Sequence, residues 1–293
     1  MKTLTIFTPT YNRAYILEKA YKSLVNQTNK DFIWEIIDDG SSDNTSELVG
    51  KWQNEKLIDI KYIKKENGGK HSAYNTLCKN VETELTLLCL DSDDYLTPNA
   101  VQIILEAWSK KKKNDKGIVA LCDDEKGQNS YCIQYNSEKL KNCSLSDALS
   151  KNYFKAGAVF AIESEYMKKF LYPEIKGEKF FTEAYLLYQM DEPFIWLNDK
   201  ICIREFREDG LTKNTKKLFI KNPNSWYLFN KLRAQKNENK VLKIKYLIYM
   251  ISFGILSKQK NIVANSPYRA LTVLLYPLGV VGYIRLKMLK RSE

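Results

Sequence analysis

Three carboxylates fall within four residues at Asp91-Ser92-Asp93-Asp94. Carboxylates so close repel one another, and a chain tolerates them best when a cation or strong donors compensate. Oxygen ligands of this kind suit a hard divalent ion, Mn2+ or Mg2+, which in turn bridges a diphosphate. The plain alternative is an acidic loop that caps the next helix through Asp94 or Thr97. A second acidic cluster, Asp38-Asp39-Gly40-Ser41-Ser42-Asp43, reads as a turn with a helix cap or as a place where a carboxylate accepts a nucleobase N–H. Thr8-Pro9-Thr10-Tyr11-Asn12-Arg13 offers Tyr11 as a wall for a base and Arg13 for phosphate, or is a strand-to-helix turn. In Asn67-Gly68-Gly69-Lys70-His71, two glycines at a helix start let backbone N–H groups approach an anion, and Lys70 adds charge. This last segment is neither a Walker A loop nor a dinucleotide fingerprint. His71, the sole histidine, either lines the pocket or is an ordinary hydrogen-bonded side chain; a His-rich metal site is excluded.

The elements that must position these segments follow from hydrophobic periodicity. Residues 3–8 alternate as a first strand, and Ile16, Leu17, Ala20, Leu24 and Val25 predict a helix over 14–27. A strand at 32–37, a helix from Asp43-Asn44-Thr45 to Trp52, a strand at 58–63 and a helix at 70–81 continue the series. The unbroken apolar run 85–90 predicts a buried parallel strand, and Pro98 opens a helix to Ser109. Such alternation specifies a mostly parallel sheet with helices on both faces. Ligands bind such sheets outside the carboxyl ends of the strands, which is where all four segments lie. The second half predicts strands at 118–122, 131–135 and 157–162, helices at 144–151, 164–171 and 182–190, and short strands near 194–206. The run Lys110-Lys111-Lys112-Lys113 is a solvated helix end.

Charge is divided unevenly. From residue 206 on there are 18 Lys and Arg against 4 Asp and Glu, whereas residues 1–205 hold 28 basic and 31 acidic groups. A near-neutral body thus carries a strongly basic tail, which points to an anionic partner. The six cysteines show no metal-ligand spacing and read as small buried hydrophobes in a reducing compartment. The first strand begins at once, without an apolar leader, so a cytoplasmic catalytic body is expected.

The four segments, in order and spacing, resemble the inverting glycosyltransferase family 2, of bacterial surface-polysaccharide type. The resemblance implies an α/β GT-A fold, Rossmann-like with a mostly parallel central sheet and flanking helices, and here a basic helical C-terminal extension. It divides the chain into a catalytic domain, 1–221 (nucleotide-binding half 1–110, acceptor half 111–221), and a tail, 222–293. It implies a nucleotide-sugar donor, a UDP-sugar, held by Thr8, Pro9, Tyr11, Arg13, Asp39, Asn67, Lys70, Asp91, Ser92 and Asp93, with Asp39 reading the base. Asp93 would be the principal ligand of a divalent metal, Mn2+ or Mg2+, with Asp91 its helper. The general base implied in the second half falls on Glu183 in Thr182-Glu183-Ala184, with Glu178 in reserve. Many members also have a late histidine on the metal; here the corresponding stretch reads Arg204-Glu205-Phe206-Arg207-Glu208-Asp209-Gly210, a source of a substitute carboxylate or an arginine for phosphate. A glycan or lipid-linked acceptor is implied.

A nucleotidyltransferase would need glycine after the first strand, which Thr8–Arg13 lacks. A nucleic-acid binder is disfavoured by the acidic body and the absence of interleaved basic and aromatic residues. A relative that binds donor without turnover is the remaining alternative. In the tail, apolar runs at 246–256 and 271–284 are bracketed by Lys243, Lys245, Lys258, Lys260, Arg269, Arg285, Lys287, Lys290 and Arg291. Neither run reaches the ~20 apolar residues of a spanning helix. Peripheral attachment to the anionic inner face of the cell membrane is expected; the alternative is a helical pair packed on the enzyme or a homodimer through it.

Overall fold

The computed structural model describes residues 2–124, 140, 143–151, 153, 157–205 and 215–291, except the side chains of 215–217, 290 and 291. Four strands alternate with helices through the first half: β1 Leu4–Thr10, α1 Ala14–Val25, β2 Phe32–Asp38, α2 Thr45–Glu55, β3 Asp59–Lys64, α3 Lys70–Asn80 and β4 Leu85–Leu88. A two-residue strand, β5 Tyr95–Leu96, then precedes α4 Ala100–Ser109. The second half holds β6 Gly117–Asp124, α5 Leu145–Ser150, β7 Ala158–Glu163, α6 Ser164–Met167, α7 Ala184–Leu187 and β8 Ile195–Arg204. Helices α8 Thr215–Lys221, α9 Pro223–Lys236, α10 Lys240–Leu256 and α11 Arg269–Arg291 complete the chain.

The eight strands form one sheet in the order β3-β2-β1-β4-β7-β6-β8-β5. β1 to β4 are parallel as expected, while β7 runs antiparallel to both β4 and β6, and β5 antiparallel to β8. Side-chain alternation along each strand sorts the core onto two faces. Leu4, Ile6, Trp34, Ile36, Ile118 and Ala120 face α1, α2 and α4. Phe7, Ile37, Val119, Phe160 and Ile162 face α3, α5, α6 and α7. Trp34, Tyr21 and Trp52 stack on the first face, with the Tyr21 and Trp52 centroids 4.3 Å apart, a contact worth about 1 kcal/mol beyond area burial.

Several expected elements are shorter. β4 ends at Leu88 rather than Leu90 because Cys89 takes a left-handed φ of 66°, which no strand residue can hold. The helix expected over 164–171 stops at Met167. There the Tyr74 hydroxyl donates to the carbonyls of Met167 and Phe170, the Asn75 amide donates to that of Tyr172, and Pro173 follows. The helix expected over 182–190 keeps one regular turn, with i to i−3 bonds around it. The strands near 194–206 are a single β8 whose register against β6 slips twice. The strand expected at 131–135 lies outside the described residues.

The tail helices bury a third cluster, including Tyr227, Tyr246, Leu247, Met250, Ile251 and Phe253. α9 joins it to the body, because Phe229 belongs to the α3 face of the sheet. α10 and α11 approach closely at glycines: a Cβ on Gly279 would sit 2.3 Å from Ile251, and one on Gly282 2.3 Å from Ser252. The expectation that no tail segment is long enough to span a bilayer is corrected here. α11 runs unbroken through Pro277 for 23 residues, and residues 269–289 are long and apolar enough to cross a membrane.

Candidate functional site

Parallel strands place the loops after β1, β2, β3 and β4 on one edge of the sheet, and the four sequence segments meet there. After β1, Asn12 adopts a φ of 52°. Its amide oxygen accepts from Ser42 N at 2.7 Å, and its N–H donates to Ser41 Oγ at 2.8 Å. The loops after β1 and β2 are thereby tied together, with Tyr11 half-exposed above them. Arg13 donates to the Tyr15 hydroxyl at 2.9 Å. Pro9 lies at the end of β1 beside Ile37. The Thr8 side chain does not reach this edge: it is fully buried, and its hydroxyl accepts from Trp34 Nε1 at 2.9 Å. Thr8 therefore supports the strand from within the core rather than facing a ligand.

Asp39 is buried and anchors the glycine loop. Its carboxylate accepts from Gly68 N at 2.9 Å, Gly69 N at 2.6 Å and Lys65 Nζ at 2.8 Å. Asp38 is engaged differently, accepting from Ser41 N and the Tyr62 hydroxyl. Asn67 lies against Gly40, whose φ of 85° only glycine holds without strain. Gly69, at φ 91°, is wedged under the Lys179 carbonyl: a Cβ there would come within 1.9 Å of that oxygen. The glycine loop thus touches the segment leading to Glu183. His71 is buried, edge-on to Tyr172 and Phe181 at 5.8 and 6.1 Å, and burial lowers its pKa.

Lys70 links the two halves. Its ammonium lies 2.7 Å from Asp91 Oδ1 and 2.5 Å from Glu183 Oε1. Burial works to lower its pKa, but the charges of Asp91 and Glu183 override it and hold it well above the usual lysine value. The Cys89 thiol donates to Asp91 Oδ1 at 3.0 Å, and ligand atoms of Cys89, Asp91 and Glu183 lie within 4.8 Å of one another.

The three clustered aspartates differ in how they are compensated. For Asp91, burial opposes ionisation, but Lys70 prevails and lowers the pKa. Asp94 is buried, with Arg204 Nε 3.6 Å from its Oδ2. Burial first and the charge of Asp91 second push it up to about 8. Asp93 has no ion-pair partner among the described residues, and burial and then Asp91 raise its pKa. Among the described residues, the ligand atoms close enough to share a cation are those of Cys89, Asp91 and Glu183, and the Asp93 carboxylate is not one of them. Ser92 is buried between Asp91 and Asp93.

The sequence reading did not single out Cys89 or Lys65. A thiol at the end of an apolar strand looks like core, and its entry into the site depends on the left-handed turn. Of the stretch considered as a replacement for the late histidine, Arg204 is at the site through Asp94, while Glu205 pairs with Lys19 at 2.5 Å; residues 206–210 lie outside the described residues. Glu178, the reserve base, is buried and spent elsewhere. Its oxygens accept from Asn224 N and Nδ2 and from Ser225 N and Oγ, at 2.6 to 2.8 Å.

Comparison with known proteins agrees with this geometry. The profile described as "Glycosyl transferase family 2" matches residues 5–170, and the chain belongs to that family. Its fold is of the GT-A type. The chain is 27% identical over 226 residues to the "GalNAc(5)-diNAcBac-PP-undecaprenol beta-1,3-glucosyltransferase" of Campylobacter jejuni, covering 74% of this chain and 69% of that protein. It is 37% identical over 110 residues to the chondroitin synthase of Pasteurella multocida, a match that covers 37% of this chain and only 11% of the synthase. The fold superimposes on S. aureus TarS 1–349 in complex with UDP-GlcNAc, with a TM-score of 0.62 at 16% identity over 100% of this chain and 92% of that one. It also superimposes on mannosyltransferase PcManGT of Pyrobaculum calidifontis in complex with GDP-Man and Mn2+, with a TM-score of 0.53 at 15% identity over 96% and 86%.

Proposed function

We propose that this glycosyltransferase moves a sugar from a UDP-sugar, with inversion at the anomeric carbon, onto a hydroxyl of a glycan or lipid-linked acceptor in bacterial surface-polysaccharide synthesis. The observation that carries the reading is the meeting of Lys70, Asp91 and Glu183, contributed by both halves of the catalytic body 1–221, at the carboxyl edge of the sheet. The UDP-GlcNAc complex of the TarS fold and the lipid-linked substrate in the Campylobacter relative's name support the donor and acceptor classes.

In this reading Tyr11 and Pro9 wall the base, Asp39 reads it, Arg13 and Lys70 meet the diphosphate, and Asn67 and Ser92 shape the loops around it. Glu183 takes the proton of the acceptor hydroxyl as that oxygen attacks the anomeric carbon opposite the nucleotide. The bond to the diphosphate oxygen breaks with its electron pair, so one displacement suffices and no covalent intermediate forms. Asp93 and Asp91 would hold a divalent ion, Mn2+ or Mg2+, which supplies charge neutralisation for the leaving diphosphate.

The tail from residue 222 supplies attachment to an anionic membrane face. The side of α11 turned away from α10 exposes Leu274 (75%), Leu278, Val281 (64%) and Met288 at helical spacing; Arg285 falls on the same face, and Arg269 and Lys287 are exposed elsewhere round the helix. Apolar area and cations on one helix are what interfacial binding requires, and they hold the enzyme at the inner face of the cell membrane.

Nucleotide release over a UDP-, GDP- and CDP-sugar panel with Mn2+, Mg2+ or EDTA tests the central reading. Glu183→Ala should lower turnover by about 10²- to 10⁴-fold, the usual worth of a general base, while donor binding persists. No binding or hydrolysis of any sugar nucleotide would sink it.

A further inference from the structure

Lys70 is shared between two groups with different tasks, and this arrangement rests on the donor-binding reading above. Its two short contacts go to Asp91, on the donor side, and to Glu183, the group that must receive the acceptor's proton. Among the described residues Lys70 is the only ion-pair partner of Glu183. Lys70 is also the first residue of α3, directly after the Gly68 and Gly69 amides that hold Asp39. Gly69 in turn is pressed against the backbone of Lys179, four residues before Glu183. One short loop therefore touches the base reader, the aspartate cluster and the general base.

We propose that Lys70 is a positioning residue that masks Glu183 until the donor is bound. Without donor, the ammonium neutralises Glu183 and occupies an oxygen that an acceptor hydroxyl must reach. A diphosphate arriving beside Asp91 offers Lys70 two or more anionic oxygens, and the ammonium turns toward them. Glu183 is then an unpaired carboxylate facing the acceptor side. It follows that Glu183 competes with the diphosphate for Lys70, a coupling free energy between two sites that is measurable as such.

The test is a double-mutant cycle read by calorimetric titration of UDP and of GDP, each with Mn2+, into the full-length protein, with no turnover involved. Glu183→Gln frees Lys70 and should tighten nucleoside diphosphate binding by about tenfold, inside the 5- to 150-fold range usual for coupled sites. Removing one negative charge lessens general repulsion too, so the same change is made in a Lys70→Met background. There the gain should shrink to about twofold or less, because the competition is gone while the repulsion remains. Lys70→Gln is the second background should the methionine variant fail to fold. An equal gain with and without Lys70, or no gain in either, would overturn the proposal. If neither diphosphate binds the unaltered protein, the donor-binding reading itself has failed, a result distinct from those two.

Discussion

Glu178 separates structure from catalysis among the acidic residues before α7. Both oxygens of this buried carboxylate are filled by the first turn of α9, through Asn224 N, Asn224 Nδ2, Ser225 N and Ser225 Oγ. Asn222 completes the joint in the other direction, accepting from Lys179 N and Phe180 N at 2.9 and 3.0 Å. A carboxylate at a helix N-terminus satisfies orphan amides and meets the positive end of the macrodipole. Glu178→Ala strands two backbone N–H groups in a buried joint, each costing ~1–2 kcal/mol. The expected loss is about 3 kcal/mol. Glu178→Gln keeps one acceptor oxygen but turns an amide NH2 toward donors on the other side, so about half that loss is expected. Urea unfolding followed by tryptophan fluorescence reads both, since Trp226 sits beside the joint on α9. Turnover per folded molecule should stay within about threefold of the parent. A stability loss below about 0.5 kcal/mol would refute the capping argument, and abolished turnover in a fully folded variant would make Glu178 the base.

Gly69→Ala meets the Lys179 carbonyl at 1.9 Å and a φ of 91°, so it should cost at least about 3 kcal/mol and weaken UDP binding; an unchanged melting temperature would contradict the close approach. Asp94, pushed up to about 8, keeps in the folded protein a proton that the unfolded chain releases near pH 4. Stability measured in EDTA should therefore be full below about pH 4 and fall by about 2–4 kcal/mol as pH rises to about 8. Asp94→Asn should flatten that slope, and an identical pH profile would refute the assignment. For the tail, the paired change Leu274→Glu and Val281→Glu on exposed positions should leave the fold intact and abolish flotation with phosphatidylglycerol vesicles; undiminished flotation counts against the membrane face, and a change of oligomeric state instead would mark it as a contact between copies.

The first half of the chain was legible because its candidate residues lie in loops whose position a parallel sheet dictates. Once β1 to β4 were read as parallel, Tyr11–Arg13, Asp39, Asn67–Lys70 and Asp91–Asp93 had to share an edge. The second half was less so, because its shape is set by contacts distant in sequence. Periodicity cannot tell antiparallel β7 from a parallel strand, since both are short buried apolar runs. The early end of α6 depends on Tyr74 and Asn75, more than ninety residues away. The role of Glu178 depends on partners 46 and 47 residues distant. The Thr8 side chain is turned into the core by simple alternation, since it shares the inward face of β1 with Leu4 and Ile6, whose neighbour is Trp34.

The acidic cluster itself shows why three adjacent carboxylates are tolerated. Each is relieved differently: Asp91 by the ammonium of Lys70, Asp94 by a retained proton and the flank of Arg204, and Asp93 by no partner among the described residues. Two of the three are thus compensated by the chain's own groups, which lets the fold form with only one costly charge left over. That remaining carboxylate has the most to gain from an external cation. The same logic extends across the site, where Lys70 divides its charge between Asp91 and Glu183. A protein that compensated all its carboxylates internally would be more stable and could bind neither metal nor diphosphate well. With Asp93 unpaired among the described residues and Lys70 shared between two carboxylates, part of the electrostatic demand of the site stays open.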